Sequence, residues 1–210
     1  MPRPLPAVFF RTETGREPVR EWLKGLPKDE RKMIGEDIMT VQFRWPLGMP
    51  LVDHLGSGIW EIRSRLANRI ARTLFFVHQE EIILLHGFIK KTKKRQTKTE
   101  LWLCDAKMHT SKTVKTRNKH RGSSFEDFLK QEGLLENVQA AAFKRALALK
   151  VNDMMKEKRM NKSAMAARMR TSRAAVHRLL DPKNTSVTLA TLNRAARSLG
   201  CKVKIEFVPA

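Results

Sequence analysis

The sequence contains no tyrosine and only two cysteines, Cys104 and Cys201, among its 210 residues. Without tyrosine, the chain has no phenol that a catalytic site can use as an acid or a base. The two cysteines are far apart and form no CxxC spacing, which argues against a disulfide framework and a zinc site. We therefore expect no metal, no cofactor and a reducing, cytoplasmic location. No apolar run approaches the ~20 residues that cross a bilayer, so no membrane partner is expected.

Acidic residues are also scarce relative to basic ones. The chain has 42 Lys and Arg against 21 Asp and Glu, for a formal net charge of +21. Residues 1–107 hold 20 basic and 13 acidic residues (net +7), and residues 108–210 hold 22 and 8 (net +14). This balance favours a polyanionic partner over simple solubility, and nucleic acid is the polyanion we expect.

Hydrophobic patterning in the first half predicts a small α+β domain. Ala7–Arg11 predicts a first strand, and two helices follow, one from Pro18 and one from Lys28. Three further strands are predicted at Ile59–Ser64, Arg69–Val77 and Glu81–Phe88. The order β-α-α-β-β-β predicts a twisted antiparallel sheet with two helices on one face.

The second half has a different composition and predicts an all-α domain. Residues 1–107 form the first predicted domain, 108–122 a basic linker, and 123–210 the second domain. Ser124 is expected to cap a helix, a long helix is predicted from Leu134 to about Arg159, and a last helix ends before Gly200. Residues 201–208 (CKVKIEFV) alternate and predict a C-terminal strand, which we expect to pair across a dimer or onto the first sheet.

Residues 162–180, KSAMAARMRTSRAAVHRLL, predict a helix-turn-helix. Ala166 takes the small position where the helices cross, and apolar side chains at Met165, Met169, Val176 and Leu179 hold the second helix. The start of that helix enters the major groove in such motifs. The predicted DNA-binding residues are Thr171, Ser172, Arg173, Ala175, His177 and Arg178. Arg173 can donate two hydrogen bonds to guanine, whereas Thr171 and Ser172 can bind phosphate or a base edge. The alternative interpretation is a solvated helical hairpin with a basic face.

A second basic constellation lies on the predicted strands. Its members are Arg63, Arg65, Arg69 and Arg72, followed by Lys90 and Lys91 at the end of the next strand. In an antiparallel meander, Arg63 and Arg72 can share one sheet face with the lysines. Fixed cations suit the charge that develops during cleavage of RNA by attack of its 2′ hydroxyl. His86 is a candidate acid or base, with a structural histidine as the alternative, and His54 is a weaker candidate. The residues alone leave open cleavage, RNA docking without catalysis, and contact with the second domain.

The second half resembles HigA-type antitoxins of the lambda-repressor-like helix-turn-helix family. The resemblance rests on HRGSSFEDFL, on SAMAARMRTSRAAVHRLL and on DPKNTSVTLATLNRAARSLG, and covers about residues 119–208. It implies a DNA-binding repressor that acts on its own operon. One departure lies at the turn, where the family usually carries glycine and this chain has Arg170. A positive φ there costs arginine roughly 1 kcal/mol.

The first half resembles the HigB/RelE toxin superfamily, close to its phage-derived group. The resemblance rests on REPVREWLK, GMPL, LGSGIWEIRS, RIARTLF and LLHGFIKKT, and covers most of residues 8–94. It implies ribosome-dependent mRNA cleavage, with Arg63, Arg72, Lys90 and Lys91 at the positions where the superfamily places cations around the scissile phosphate. SRLAN lacks the glycine usual between the strands, and KKTKKRQTKTE lacks the usual proline.

Together these features predict a toxin and its antitoxin in one chain, with Met108 where a separate antitoxin would start. The expected partners are mRNA on the ribosome, operator DNA and a second copy of the chain bound through the antitoxin domain. We expect the second domain to restrain the first through Phe125, Phe128 and Leu129, or through Glu126, Asp127 and Glu132 against the basic run Lys90–Lys98. The alternative is a non-enzymatic DNA-binding repressor whose first domain docks RNA or protein.

Overall fold

The computed structural model describes residues 4–90, 120–182, 184 and 186–205. The chain forms two compact units, Met1–Gln139 and Ala140–Ala210. This division falls later in the chain than residue 123, because residues 120–139 pack within the first unit. We call these residues the docking segment. The predicted limits of the two domains and of the linker remain a prediction about where independent folding begins and ends.

The first unit is built on a six-stranded sheet with the order β2-β3-β4-β5-β1-β6. Neighbouring strands are antiparallel except β1 and β5, which run parallel. The strands are β1 (Ala7–Phe10), β2 (Val52–Gly56), β3 (Ile59–Arg65), β4 (Ile70–His78), β5 (Glu81–Ile89) and β6 (Arg121–Ser124).

The predicted strands β1, β3, β4 and β5 are confirmed within one or two residues at their ends, and two strands were not predicted. β2 is a polar edge strand, with Asp53 opposite Glu61 and His54 opposite Trp60, so its sequence shows no apolar alternation. β6 has the sequence RGSS, which contains no apolar residue and spans the predicted boundary between the linker and the second domain. It is a strand because it pairs with β1.

Three helices pack against one face of this sheet, which we call the helix face. They are α1 (Pro18–Lys24), α2 (Lys28–Arg44) and α3 (Phe125–Gln131). A Cβ on Gly87 of β5 would lie 2.0 Å from the Trp22 ring, so α1 sits directly on the strand at this glycine. Phe9 of β1 contacts Phe125 and Phe128 of α3 edge-on, at centroid distances of 5.8 and 5.5 Å. The two helices predicted from Pro18 and Lys28 are therefore confirmed, and α3 joins them.

The opposite face of the sheet, which we call the far face, has an apolar cluster of its own. Its buried members are Val8, Phe10, Ile59, Leu74, Phe76, Ile83 and Leu85. Strand alternation continues this face toward one end of β3 and β4, where polar residues replace apolar ones. The candidate site of the first unit lies at that end.

The second unit is helical throughout its described residues, as predicted. Helix α4 (Leu135–Glu157) continues into it from the first unit, and α5 (Lys162–Met169), α6 (Arg173–Leu180) and α7 (Leu189–Ser198) follow. Residues 201–205 form no strand, and residues 206–208 of the predicted C-terminal strand lie outside the described residues. A strand needs a hydrogen-bonded neighbour, and the described part of this unit offers only helices.

Side-chain caps fix where these helices begin. Ser124 accepts from the amides of Glu126 and Asp127 at the start of α3, as predicted. Ser172 caps α6 by accepting from Ala175 at 3.1 Å. Such caps satisfy amides that have no partner inside the helix. No helix among the described residues is long and apolar enough to cross a membrane.

Candidate functional site

Two rows of side chains on the far face bring the predicted cationic residues together. Arg63 on β3 lies directly opposite Arg72 on β4, which lies opposite Phe88 on β5. In the neighbouring row, Glu61 lies opposite Leu74, which lies opposite His86. The expectation that Arg63 and Arg72 share one sheet face is therefore confirmed by the strand register.

Glu61 lies beside both arginines, and its carboxylate binds each of them. Its Oε1 accepts from Nε of Arg63 at 2.6 Å, and its Oε2 accepts from Nη1 of Arg72 at 2.7 Å. Glu61 is 2 % exposed, so the bridge is shielded from water. Like charges directly opposite one another on a sheet repel. Glu61 offsets that repulsion and holds the two guanidinium groups side by side.

Arg63 is the more heavily paired of the two arginines. It also forms an ion pair with Asp53 on β2. The hydrogen bond to Glu61 raises the pKa of the Arg63 guanidinium above its ordinary value, with burial acting in the opposite direction. Arg72 keeps a buried Nε–H that has no acceptor among the described residues. The sequence analysis missed Asp53 and gave Glu61 no role, although Glu61 and Arg63 are two residues apart and so share a strand face.

His86 lies on the same sheet face as the arginine pair, on the strand next to the one that carries Arg72. It belongs to the same row as Glu61, two strand spacings or roughly 10 Å from it. The His86 ring stacks near Phe88 with a centroid distance of 5.8 Å. Burial lowers the pKa of His86 below its ordinary value, so its ring is neutral at neutral pH and can accept a proton. This agrees with either a base or a structural histidine.

The remaining predicted cations divide into two groups. Lys90 follows β5 and donates its amide to the carbonyl of Ile70. By strand alternation, Lys90 lies on the same sheet face as Phe88 and Arg72. Lys91 lies outside the described residues. Arg69 binds Glu30 on α2 through two contacts of 3.0 and 2.6 Å. Its assignment to the cationic cluster was therefore wrong, because an acidic residue of a helix draws it away.

His54 and Trp60 are opposite each other in the register, and their ring centroids are 4.4 Å apart. Trp60 precedes Glu61 on β3 and so points to the helix face. The weaker histidine candidate therefore lies across the sheet from the arginine pair.

The docking segment is held at the free edge of β1 by a buried carboxylate. Glu17 accepts from the amide of Ser123 and from its hydroxyl, both at 2.7 Å, and from Nη2 of Arg11 at 3.0 Å. Burial by itself raises the pKa of Glu17, but these hydrogen bonds outweigh burial and hold its pKa below the ordinary value. His120 adds a backbone bond, its carbonyl accepting from the Arg11 amide at 2.9 Å. Only glycine leaves enough room at position 122, because a Cβ there would lie 2.5 Å from the Phe9 carbonyl oxygen.

The predicted apolar anchors of the docking segment are buried in the first unit. Phe125, Phe128 and Leu129 are 0–1 % exposed. Glu132 pairs with Arg31 of α2 and so departs from the prediction. The expected pairing of Glu126 and Asp127 with the basic run stays a prediction, because Lys91–Lys98 lie outside the described residues. β5 and β1 separate β6 from the strand that carries Arg72, and α3 lies on the helix face. The described part of the docking segment therefore does not cover the arginine pair.

The second unit contains the predicted helix-turn-helix. Met165, Ala166, Met169, Val176 and Leu179 are all buried where α5 crosses α6. The start of α6 is solvent-facing: Ser172, Arg173, His177 and Arg178 are exposed, and Thr171 and Ala175 are partly buried. The geometry thus leaves the predicted groove-facing residues accessible.

Two charged residues outside the predicted DNA-binding set, Arg170 and Lys144, also shape this unit. Arg170 closes α5 with φ 50° and ψ 53°, the left-handed conformation expected from its place in the turn. Lys144 of α4 is 3 % exposed and donates to the carbonyls of Leu179 and Asp181, at 2.9 and 2.7 Å. These bonds hold the C-terminal end of α6 against α4. Burial lowers the pKa of Lys144, and the charge of Asp181 opposes that shift.

Comparison with known families identifies both units. Residues 21–108 match the model described as phage derived protein Gp49-like (DUF891), and residues 150–204 match that of the Cro/C1-type HTH DNA-binding domain. No curated protein sequence matches the chain. The chain therefore carries a Gp49-like domain of the RelE/HigB toxin type, followed by a Cro/C1-type helix-turn-helix domain. The docking segment lies outside both matched regions, so the match alone does not reveal it.

Proposed function

We propose that this chain, which joins a Gp49-like toxin domain to a Cro/C1-type DNA-binding domain, is a toxin–antitoxin pair in one cytoplasmic polypeptide. The first unit cleaves mRNA bound to the ribosome, and the docking segment restrains it. The second unit binds operator DNA and represses its own operon. The observation that carries the nuclease proposal is the Arg63–Arg72 pair held side by side by Glu61.

The proposed cleavage is attack of an RNA 2′ oxygen on the adjacent phosphorus. The 5′ oxygen of the next nucleotide leaves and takes up a proton from water, which gives a 2′,3′-cyclic phosphate and a 5′ hydroxyl. Arg63 and Arg72 stabilise the added negative charge on the phosphorane, and preorganised donors of this kind are usually the largest contribution to such catalysis. Lys90 and Lys91 bind the backbone, and neutral His86 accepts the 2′ proton. The ribosome orients the RNA, which offsets the distance between His86 and the arginines.

The nuclease proposal is tested with residues 1–107, which lack the docking segment. Their expression should arrest growth and fragment mRNA on ribosomes, while purified protein cleaves free RNA slowly. Arg72→Ala should lower the rate by ~10²-fold or more, the effect of losing one transition-state donor. Arg69→Ala is the matched control, because Arg69 binds Glu30 away from the pair. Equal rates for Arg72→Ala and the unchanged fragment would refute the assignment.

We further propose that the docking segment restrains the toxin by its bulk, which keeps the toxin off the ribosome. The apolar contacts of Phe125 and Phe128 with Phe9 support this, because residues 1–107 and 108–210 both carry a net positive charge and charge alone cannot drive the docking. A tether makes such docking intramolecular, at an effective concentration near the millimolar range.

Full-length chain should therefore be inactive toward ribosome-bound mRNA, and the double variant Phe125→Ala, Phe128→Ala should regain activity. Phe143→Ala is the control, because Phe143 is 52 % exposed. Cleavage of the chain within residues 108–119 should leave the two pieces associated at micromolar concentration. Separation of the pieces, or full activity of the uncut chain, would contradict the restraint.

The operator proposal rests on the exposed start of α6. A dimer joined through the second unit would present two recognition helices to half-sites about one helical turn apart. Arg173→Ala should weaken operator binding and relax specificity at one base pair, by ~1–3 kcal/mol if Arg173 grips guanine. Equal affinity for the operator and for random DNA at physiological salt would refute sequence-specific repression.

One observation favours the non-enzymatic alternative, a repressor whose first unit only docks RNA or protein. Both arginines are already bound by carboxylates, Arg63 by Glu61 and Asp53 and Arg72 by Glu61. A surface of this kind can bind a phosphate chain weakly without cleaving it. Binding of RNA by residues 1–107 without any strand cleavage on ribosomes would support this alternative.

A further inference from the structure

Four arginines line a cleft in the second unit, outside the predicted recognition helix α6. The cleft encloses about 380 Å³ between the end of α5 and the second half of α7. It is lined by Arg168, Met169, Arg170, Arg194, Arg197 and Ser198. None of these residues belongs to α6, and none is acidic. We call this feature the arginine cleft.

The positive charges of the arginine cleft are not neutralised by the described part of the chain. Some exposed arginines elsewhere bind carboxylates, as Arg16 binds Glu21 and Arg121 binds Glu81, whereas isolated ones such as Arg159 pair with no described carboxylate. The four cleft arginines are exposed, and none forms an ion pair with a described residue. Crowding four like charges without a counter-charge costs electrostatic energy, which a bound anion would offset.

Helix polarity accounts for only part of this arrangement. Arg168 and Arg197 lie in the last turns of α5 and α7, where cations interact favourably with the carbonyl end of a helix. Arg194 lies further inside α7, and Arg170 lies beyond the end of α5. Stabilisation of the helix ends therefore does not explain why all four arginines converge.

Arg170 adds a second and independent observation. Its turn has the same hydrogen bonds as the turn after α7, where Gly200 has φ 70°. Glycine adopts this conformation without strain, whereas arginine does not. Arg159 closes α4 with φ 48°, so a left-handed arginine alone does not mark a site. Arg170 differs from Arg159 in that it also lines the cleft together with three other arginines.

We propose that the arginine cleft binds a phosphate group. Guanidinium groups bind phosphate with paired hydrogen bonds, which suits a cleft of several arginines. The phosphate comes either from the DNA backbone, which deepens the proposed operator binding and rests on it, or from a free polyphosphate ligand.

The test uses the full-length chain and two probes, a random-sequence DNA duplex and inorganic pyrophosphate. The variants are Arg170→Gly and Arg194→Gln, and the matched control is Arg159→Gly. Like Arg170→Gly, the control removes one arginine and relieves a positive φ, but at a position outside the cleft. Arg170→Gly should melt at a higher temperature than the unchanged chain, so its loss of binding cannot come from unfolding.

If the phosphate belongs to DNA, each cleft variant should lose one phosphate contact. The slope of the logarithm of the DNA-binding constant against log salt should then be less negative by about 0.9 on any duplex. Arg159→Gly should keep the slope of the unchanged chain. If the phosphate belongs to a free ligand, pyrophosphate should raise the melting temperature of the unchanged chain and of Arg159→Gly, but not of the cleft variants. Either result supports the cleft.

The proposal is overturned if both cleft variants match the control in salt slope and in their response to pyrophosphate. Failure of the operator proposal looks different, because the unchanged chain itself would then show no specific DNA binding. A pyrophosphate response limited to intact cleft residues would still support the cleft in that case.

Discussion

The docking of β6 against β1 depends on Gly122, and we predict that Gly122→Ala disrupts it. The added Cβ would lie 2.5 Å from the Phe9 carbonyl oxygen and 2.6 Å from Oε1 of Glu17. Ordinary contacts begin near 3.4 Å, so β6 must retreat by about 0.9 Å or Glu17 must turn away. Either movement breaks the bonds between Glu17 and Ser123, which are 2.7 Å long.

The expected magnitude follows from those two bonds. A hydrogen bond to a charged group contributes roughly 1.5–3 kcal/mol, so losing both costs roughly 3–6 kcal/mol. Renewed contact of Glu17 with water recovers part of this, which leaves about 3 kcal/mol for opening the edge of the sheet. An opening free energy lower by about 3 kcal/mol corresponds to roughly 100-fold faster exchange of amides that become exposed.

Hydrogen exchange measures this opening at single amides. The reporters are the amide of Arg11, which donates to the His120 carbonyl, and the amide of Ser123, which donates to Glu17. Gly48→Ala is the control, because nothing lies within 4 Å of a Cβ at that glycine. The close packing of Gly122 would be refuted if the amides of Arg11 and Ser123 exchanged no faster in Gly122→Ala than in the Gly48→Ala control, with both variants equally stable.

Three further predictions follow from buried charges. Glu17 has a lowered pKa in the folded chain, so its stabilising contribution is complete above the ordinary glutamate pKa of about 4.3 and is lost as pH falls through the folded value; acid titration of Glu17→Gln should show a smaller loss of stability over that range. Glu61→Gln should lower the free energy of unfolding by roughly 3–5 kcal/mol in urea titrations, since it leaves Arg72 without its carboxylate and Arg63 with Asp53 alone; an effect below about 1 kcal/mol would contradict the bridging role. Lys144 also has a lowered pKa, so unfolding binds a proton and stability should rise with pH from the folded pKa up to about 10.4. Lys144→Met should remove that rise, and an identical slope in both proteins would contradict the burial of the ammonium group.

Local patterns in the sequence were sufficient for most elements of the fold. Apolar runs of β-branched and aromatic residues predicted β3, β4 and β5, because short runs of such residues are typical of strands whose side chains are buried in a sheet. Helix starts were readable because capping is local, as at Ser124. The left-handed Arg170 followed from the usual shape of the turn in this motif. Shared sheet faces were also predictable, since strand alternation placed Arg63 and Arg72 together.

Interactions between distant residues were decided only by the tertiary structure. The RGSS strand has no apolar pattern and exists because β1 offers a free edge and Glu17 a carboxylate, 106 residues away in the chain from Ser123. Arg69 left the predicted cationic cluster because α2 brings Glu30 to it. The arginine cleft is equally non-local, since it forms where the ends of α5 and α7 meet. Sequence thus determined which segments become helices and strands, through periodicity and capping. Folding determined which charges meet, because ion pairs and clefts depend on packing between elements that no local pattern records.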